Sequence, residues 1–266
     1  MADSVTHAKN SIEVKSNLEW QAWGGKDPLF GVIPQPGREL GGTQPWTDED
    51  FYQTGYRDWR EFIGRWERYG VDKESCLEIG CGAGRMTCAI SRDFCTVYGV
   101  DVAEGMVAYA RKHVGHNVHL HVTDGVTLPV PDSSVTAVFS VIVFLHFDRS
   151  EHAAAYFREI ARALKPGGTI MIQLPLHRWP VNLKAAVRRS FAAAHAAYMT
   201  LRRIKGAYHR FWLSRQRWSA FMQSMSYDTD WLNQTLGALG FQDIETSCFQ
   251  LGRGEDTYSW VFARKT

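Results

Sequence analysis

Between positions 75 and 175 short apolar runs rich in β-branched residues alternate with amphipathic stretches, and this alternation leaves the chain few folds to choose from. The runs are SCLEIG (75–80), TVYGVDV (96–102), VHLHVTD (118–124), VTAVFSVIVFL (135–145) and TIMIQLP (169–175). Helical patterns lie between them at 84–93, 103–114 and 149–164, the last closed by KPGG, a glycine stop signal. Strands that are apolar on both faces need cover on both faces, and helix-length connections return each strand parallel to the one before. The expectation is an α/β fold with a doubly wound, mostly parallel sheet and right-handed crossovers. FQDIETSCFQL and TYSWVFARK flank the turn-like GRGED, which predicts an antiparallel hairpin at the sheet edge.

The 266 residues, 45% hydrophobic and 22% charged, match an ordinary globular chain with one core and an accessory piece. Residues 1 to about 18 read as a loose terminus. The Gly-, Pro- and Trp-dense stretch from 17 to 46 is too irregular for one helix and reads as an ordered cover. From Thr47, an N-cap candidate followed by acids, Trp59, Phe62, Ile63 and Trp66 recur at helical spacing. The expected division is 1–70 (cover and helices), 71–176 (ligand-binding core), 177–228 (helical insertion) and 229–266 (final helix and strands). No window nears the roughly 20 apolar residues of a membrane span, and the start lacks a signal-peptide core, so the expected location is cytoplasmic. Cys76, Cys81, Cys88, Cys95 and Cys248 include no CxxC pair, so reduced core thiols are expected, with no metal site.

CLEIGCGAGR (76–85) runs from a strand straight into glycines and a helix. Gly80, Gly82 and Gly84 let the backbone turn sharply and a ligand lie against it, at the carboxyl end of a strand where open α/β sheets bind ligands. A dinucleotide fingerprint would place glycine where Arg85 stands. Asp101 ends the second strand about 20 residues on, placed to accept bonds from ribose hydroxyls. Asp124 and Gly125 end the third, where a carboxylate can take an adenine amino group. Asp124 as a mere turn-starter is the competing reading.

On these residues the chain resembles the class I S-adenosylmethionine-dependent methyltransferases. The likeness rests on Glu78 to Arg85, YGVDVAEGMVAYAR, the TDG after strand three, and the run from FSVIVFLHF to ALKPGGTIMIQLP. It implies a seven-stranded, Rossmann-like methyltransferase fold that binds S-adenosyl-L-methionine and releases S-adenosyl-L-homocysteine. The cofactor-binding residues it implies are Glu78, Gly80, Gly82, Gly84 and Arg85 of the loop, Asp101 at the ribose, Val102 and Met106 on the adenine faces, Asp124 and Gly125 at the adenine edge, and Ser140 and Val141 by the methionyl amino group. The order of parts suits a small-molecule branch, and no Asp/Asn-Pro-Pro-Tyr/Phe signature of amide or adenine methylation occurs.

Methyl transfer from a sulfonium is an in-line displacement, so the protein supplies alignment and, for a hydroxyl acceptor, a base. His146, at the end of the fourth strand, is the candidate base, with packing or helix capping as the competing reading. His152, on the next helix, is expected to face solvent. An amine acceptor would need a base less and would use aromatic rings instead. Trp20, Trp23, Phe30, Tyr52 and Tyr56 are candidates to close over the cofactor, with ordinary packing as their competing role.

Net charge is only +2, yet residues 160–227 hold 12 of the 30 Lys and Arg and no acid, leaving the remainder 18 basic against 28 acidic residues. Positions 181–223 are helical by pattern, broken near Gly206. The leading reading is a lid for an anionic or carbohydrate-like small acceptor. Behind it come a membrane-touching or lipid-presenting surface, a solvated helical face or dimer contact, and RNA binding, which would make the chain an RNA-modifying enzyme. A monomer or homodimer is expected.

Overall fold

A computed structural model describes residues 15–177, 225–250 and 257–266, with isolated positions 193, 197, 200 and 201. The helical insertion over 181–223, the break near Gly206 and the GRGED turn lie outside the described residues.

The chain opens with α1 (Lys15–Gly24) and α2 (Pro28–Val32), then α3 (Asp48–Tyr69). The alternating core follows as β1 (Ser75–Ile79), α4 (Thr87–Ile90), β2 (Thr96–Asp101), α5 (Glu104–Ala110), β3 (Val118–Val122), β4 (Val135–Ser140), α6 (Ser150–Ala163) and β5 (Leu164–His177). The short β6 (Tyr227–Asp228), α7 (Thr229–Ala238), β7 (Phe241–Gln250) and β8 (Thr257–Lys265) complete it. The main sheet runs β3-β2-β1-β4-β5-β8-β7, with β6 pairing beside β5 as an eighth strand among the described residues. Neighbours from β3 to β5 are parallel, whereas β8 pairs antiparallel with both β5 and β7. This is the doubly wound sheet with its terminal hairpin, one short strand richer than the seven expected.

Alternation across the strands fills both faces. Val138, Ile170, Ile172 and Val261 join the cluster beneath α6 and α7, with Phe157, Ile160 and Leu232. Phe139, Met171, Trp260 and Phe262 point the other way, to Trp59, Ile63 and Trp66 of α3. That two-sided burial is why these strands read as continuous apolar runs. Helix α3 is a single helix: the Thr47 hydroxyl accepts from the Asp50 N–H at 3.1 Å, three acids occupy its first turn, and Gly70 ends it at φ 96°.

Three expectations shift. Residues read as loose or irregular form α1, seated on α5 by small residues: a Cβ on Gly105 would lie 2.4 Å from the Gly24 carbonyl oxygen. The fourth strand stops at Ser140 and not at 145, because Ile142 turns the chain at φ 58° and residues Phe144–His146 form a 3₁₀ turn. The chain after β1 is mostly turn, with only Thr87–Ile90 helical. Of the cysteines, Cys76, Cys81 and Cys88 are buried, while Cys95 and Cys248 are exposed.

Candidate active site

Chain order sends β2 and β3 to one side of β1 and β4 to the other, so a crevice opens beyond the carboxyl ends of β1 and β4. A cleft occupies it, about 830 Å³ including its mouth, walled by both strand ends and by α1 and α2 of the cover.

Gly80, Gly82 and Gly84 all have positive φ (76°, 51° and 84°), which only glycine adopts without strain. Each also makes room for a different neighbour. A Cβ would lie 2.2 Å from Val143 at Gly80, 2.9 Å from Val32 at Gly82 and 3.0 Å from Ala110 at Gly84. Gly80 and Gly82 line the cleft; Gly84 does not, and serves the approach of α5.

Helix α3 grips the same loop from behind. The Tyr52 hydroxyl donates to the Ala83 carbonyl at 2.8 Å, Asp58 pairs with Arg85 at 2.6 Å, and Gly55 sits where a Cβ would be 2.2 Å from the Arg85 carbonyl oxygen. Arg85 lines the cleft with its charge already partnered.

Two acids face the cleft. Glu78 is 2% exposed and its Oε2 accepts from the Thr87 hydroxyl at 2.5 Å. Burial pushes its carboxyl up to about 8, against the Thr87 bond and the Arg85 charge, which pull it down. Asp101 accepts the Gly82 N–H and the Ala103 N–H, each at 2.9 Å, so it ties the glycine loop to the end of β2. Burial raises its pKa as well, opposed by the donated N–H groups of Ala103, Gly82 and Val102.

After β4 the backbone bends through Ile142, whose N–H donates to the buried Gln173 Oε1 at 3.0 Å. A β-branched residue at positive φ is held there by its surroundings, and this bend brings His146 back to the cleft. His146 meets Trp20 edge-on, ring centres 5.2 Å apart at 70°, and both line the cleft.

The structure thus brings Glu78, Gly80, Gly82, Arg85, Asp101, Val102, Val141 and His146 together around one cleft. The other expected residues lie elsewhere, each for a physical reason. Met106 is fully buried, with its Cε 3.0 Å from where a Gly31 Cβ would be, under the cover. Ser140 is buried and donates to the Ile79 carbonyl at 2.9 Å, tying β4 to β1. Asp124 closes a turn: its Oδ1 accepts from the N–H groups of Val126 and Thr127 at 2.9 and 2.7 Å. Burial alone would raise its pKa, but the Thr127 and Val126 bonds hold it below the ordinary value. Gly125 lies against Asn17 of α1, whose Nδ2 would be 2.3 Å from a Cβ there. His152, expected at the surface, is 3% exposed, edge-on to Phe147 at 6.5 Å, because α6 turns that face to the core.

Among the aromatic candidates Trp20 reaches the cleft. Trp23 and Phe30 pack on each other at 5.8 Å, and Tyr56 carries the Arg92 guanidinium on its ring at 3.6 Å. Asn17, Val32, Phe147 and Tyr156 also line the cleft. For the cover residues no periodic signal exists, whereas Tyr156, which sequence reasoning missed, carries one in being the hydroxyl on the apolar stripe of α6.

Residues 77–172 match the family described as "Methyltransferase domain". These residues form a class I S-adenosylmethionine-dependent methyltransferase domain. Sequence relatives of the methyltransferase domain include a malonyl-[acyl-carrier protein] O-methyltransferase of Hahella chejuensis, 30% identical over 123 residues, covering 44% of this chain and 43% of that protein. A demethylmenaquinone methyltransferase of Tropheryma whipplei is 30% identical over 101 residues, 37% of this chain and 41% of that protein. The chain therefore spans less than half the length of these relatives. The fold extends further than the sequence likeness. The magnesium protoporphyrin IX methyltransferase of Synechocystis PCC 6803, solved with S-adenosylmethionine, superposes over 94% of this chain and 97% of that one, with TM-score 0.56 at 14% identity. The cofactor of the family is S-adenosyl-L-methionine. Among the described residues no helix is long and apolar enough to cross a membrane.

Proposed function

We propose that the chain transfers a methyl group from S-adenosylmethionine to a hydroxyl oxygen of a small molecule, with His146 as the base. The observation that carries this reading is the sharing of one cleft by two acids at the ends of β1 and β2 and a histidine beyond β4. The cofactor's chemistry suits the acids: it brings an ammonium and ribose hydroxyls, donors that a carboxylate can accept through the lone pairs left over from its bonds to Thr87, or to Gly82 and Ala103. Glu78 would hold the ammonium, Asp101 the ribose, and the Gly80 to Gly82 backbone would lie along the methionyl chain. When bound, the cofactor supplies the electrophilic methyl group.

His146 has a different task from the acids. It stands on the far side of the cleft from β2, fixed by the 3₁₀ turn and by Trp20, where it would take the acceptor's proton. The small-molecule reading draws further support from the named activities of the relatives. Methylation of an amine is the second reading, favoured by the Trp20 ring in the cleft, which offers a cation–π face. His146→Ala separates the two. Under the first reading turnover falls about a hundredfold or more with cofactor affinity intact. Turnover within a few fold of wild type would favour an amine and remove the base.

A further inference from the structure

Among the described residues three tyrosines are buried to less than a tenth of their surface: Tyr52, Tyr156 and Tyr227, at 8%, 4% and 2%. A buried phenol keeps its hydroxyl only where that hydroxyl finds a partner, since an unpaired polar group costs stability. Tyr52 donates to the Ala83 carbonyl at 2.8 Å and Tyr227 to the Phe144 carbonyl at 2.6 Å. Tyr156 differs: its hydroxyl has no hydrogen-bond partner among the described residues, and the residue lines the cleft.

Its ring leaves no slack. Phe147 stacks on it at 5.1 Å and 13°, and Phe144 lies at 5.9 Å. Phenylalanine would fill the same space and the same contacts, so packing explains the ring and leaves the oxygen unexplained. The residues that share the cleft wall with it include Asp101 and Val102, at the end of β2. Burial first, then the negative charges of Asp101 and Asp124, hold its pKa well above the ordinary phenol value, so it remains a proton donor. A carboxylate only accepts. A nucleoside offers donors, in its hydroxyls and amino group, and acceptors, in its ring nitrogens and oxygens. A site built of Asp101 alone would satisfy half of it.

We infer that Tyr156 is a further cofactor-binding residue, whose hydroxyl donates to an acceptor atom of the nucleoside moiety of S-adenosylmethionine. The inference rests on the cofactor reading above and extends it to α6, a helix from which the sequence resemblance drew no ligand-binding residue.

Calorimetry on wild type and Tyr156→Phe, with S-adenosylhomocysteine and with 5′-methylthioadenosine, tests it. The second ligand keeps the nucleoside and lacks the amino acid. Loss of one neutral hydrogen bond should weaken both ligands about three- to tenfold, and by the same factor. The free variant should melt no lower than wild type, because the lost hydroxyl has no partner to lose among the described residues. An unchanged affinity for S-adenosylhomocysteine overturns the inference. So does a loss confined to S-adenosylhomocysteine, or a lower melting temperature in the free variant, which would show that the hydroxyl serves the fold. If wild type binds neither ligand, the cofactor reading fails and this inference with it; if wild type binds and the variant binds equally, only this inference fails.

Discussion

Glu78 carries a nearly enclosed carboxyl with the Thr87 hydroxyl as its donor, and burial lifts its pKa to about 8. Its sign in the stability balance follows. Between its ordinary 4.5 and about 8 the unfolded chain releases the proton that the folded chain keeps, so the free protein loses stability to this group as pH rises through that window. An ammonium bound beside it reverses the preference and drives the proton off. Binding of S-adenosylhomocysteine at pH 7 should therefore release about one proton, fading above about pH 9. Titration calorimetry in buffers of different ionisation enthalpy measures this directly. Neither 5′-methylthioadenosine, which has no amino group, nor the variant Glu78→Gln should release it. Equal release from both ligands would place the ammonium elsewhere. Glu78, Gly80, Gly82, Asp101 and Val102 line the cleft because each stands at or just beyond a strand end that the alternation marks, whereas His146 reaches it through the bend at Ile142, which the alternation does not mark. Position in the chain misplaced His152 and Met106, since which side of a short helix is buried depends on cover packed from distant sequence.

The elements show the same limit. Strand runs buried on both faces were legible by composition alone, whereas the end of β4 was not, because Ile142 lies in an unbroken apolar run and its bend is fixed by Gln173, 31 residues away. Helix α3 was legible from its Thr47 N-cap and the helical spacing of Trp59, Phe62, Ile63 and Trp66, but its grip on the glycine loop was not. That grip gives a test at this scale. Gly55→Ala would push a methyl group to 2.2 Å from the Arg85 carbonyl oxygen, which forces either helix or loop to shift. The variant should lose roughly 1–3 kcal/mol of stability and bind S-adenosylhomocysteine more weakly, as denaturant unfolding and calorimetry together would show. A variant of unchanged stability and affinity would mean that α3 merely lies near the loop.

At the scale of the molecule charge is segregated, with 12 of the 30 Lys and Arg and no acid between residues 160 and 227 and 18 basic against 28 acidic residues elsewhere. In the function proposed above, the sheet, its glycine loop and the two acids form the cofactor side of the cleft, and their pattern is local enough in sequence to be recognised. The cover over that cleft comes from α1 and α2, where Asn17, Trp20 and Val32 reach in with no periodic pattern to mark them. The central claim is that this cleft is a site for S-adenosylmethionine and not for a dinucleotide. Calorimetry of the wild-type chain and of Asp101→Ala against S-adenosylhomocysteine and NAD tests it most directly. We expect wild type to bind S-adenosylhomocysteine and not NAD, and Asp101→Ala to bind it at least tenfold more weakly, as the loss of charge-assisted bonds of about 1.5–3 kcal/mol requires. Tight binding of NAD without binding of S-adenosylhomocysteine would contradict the account.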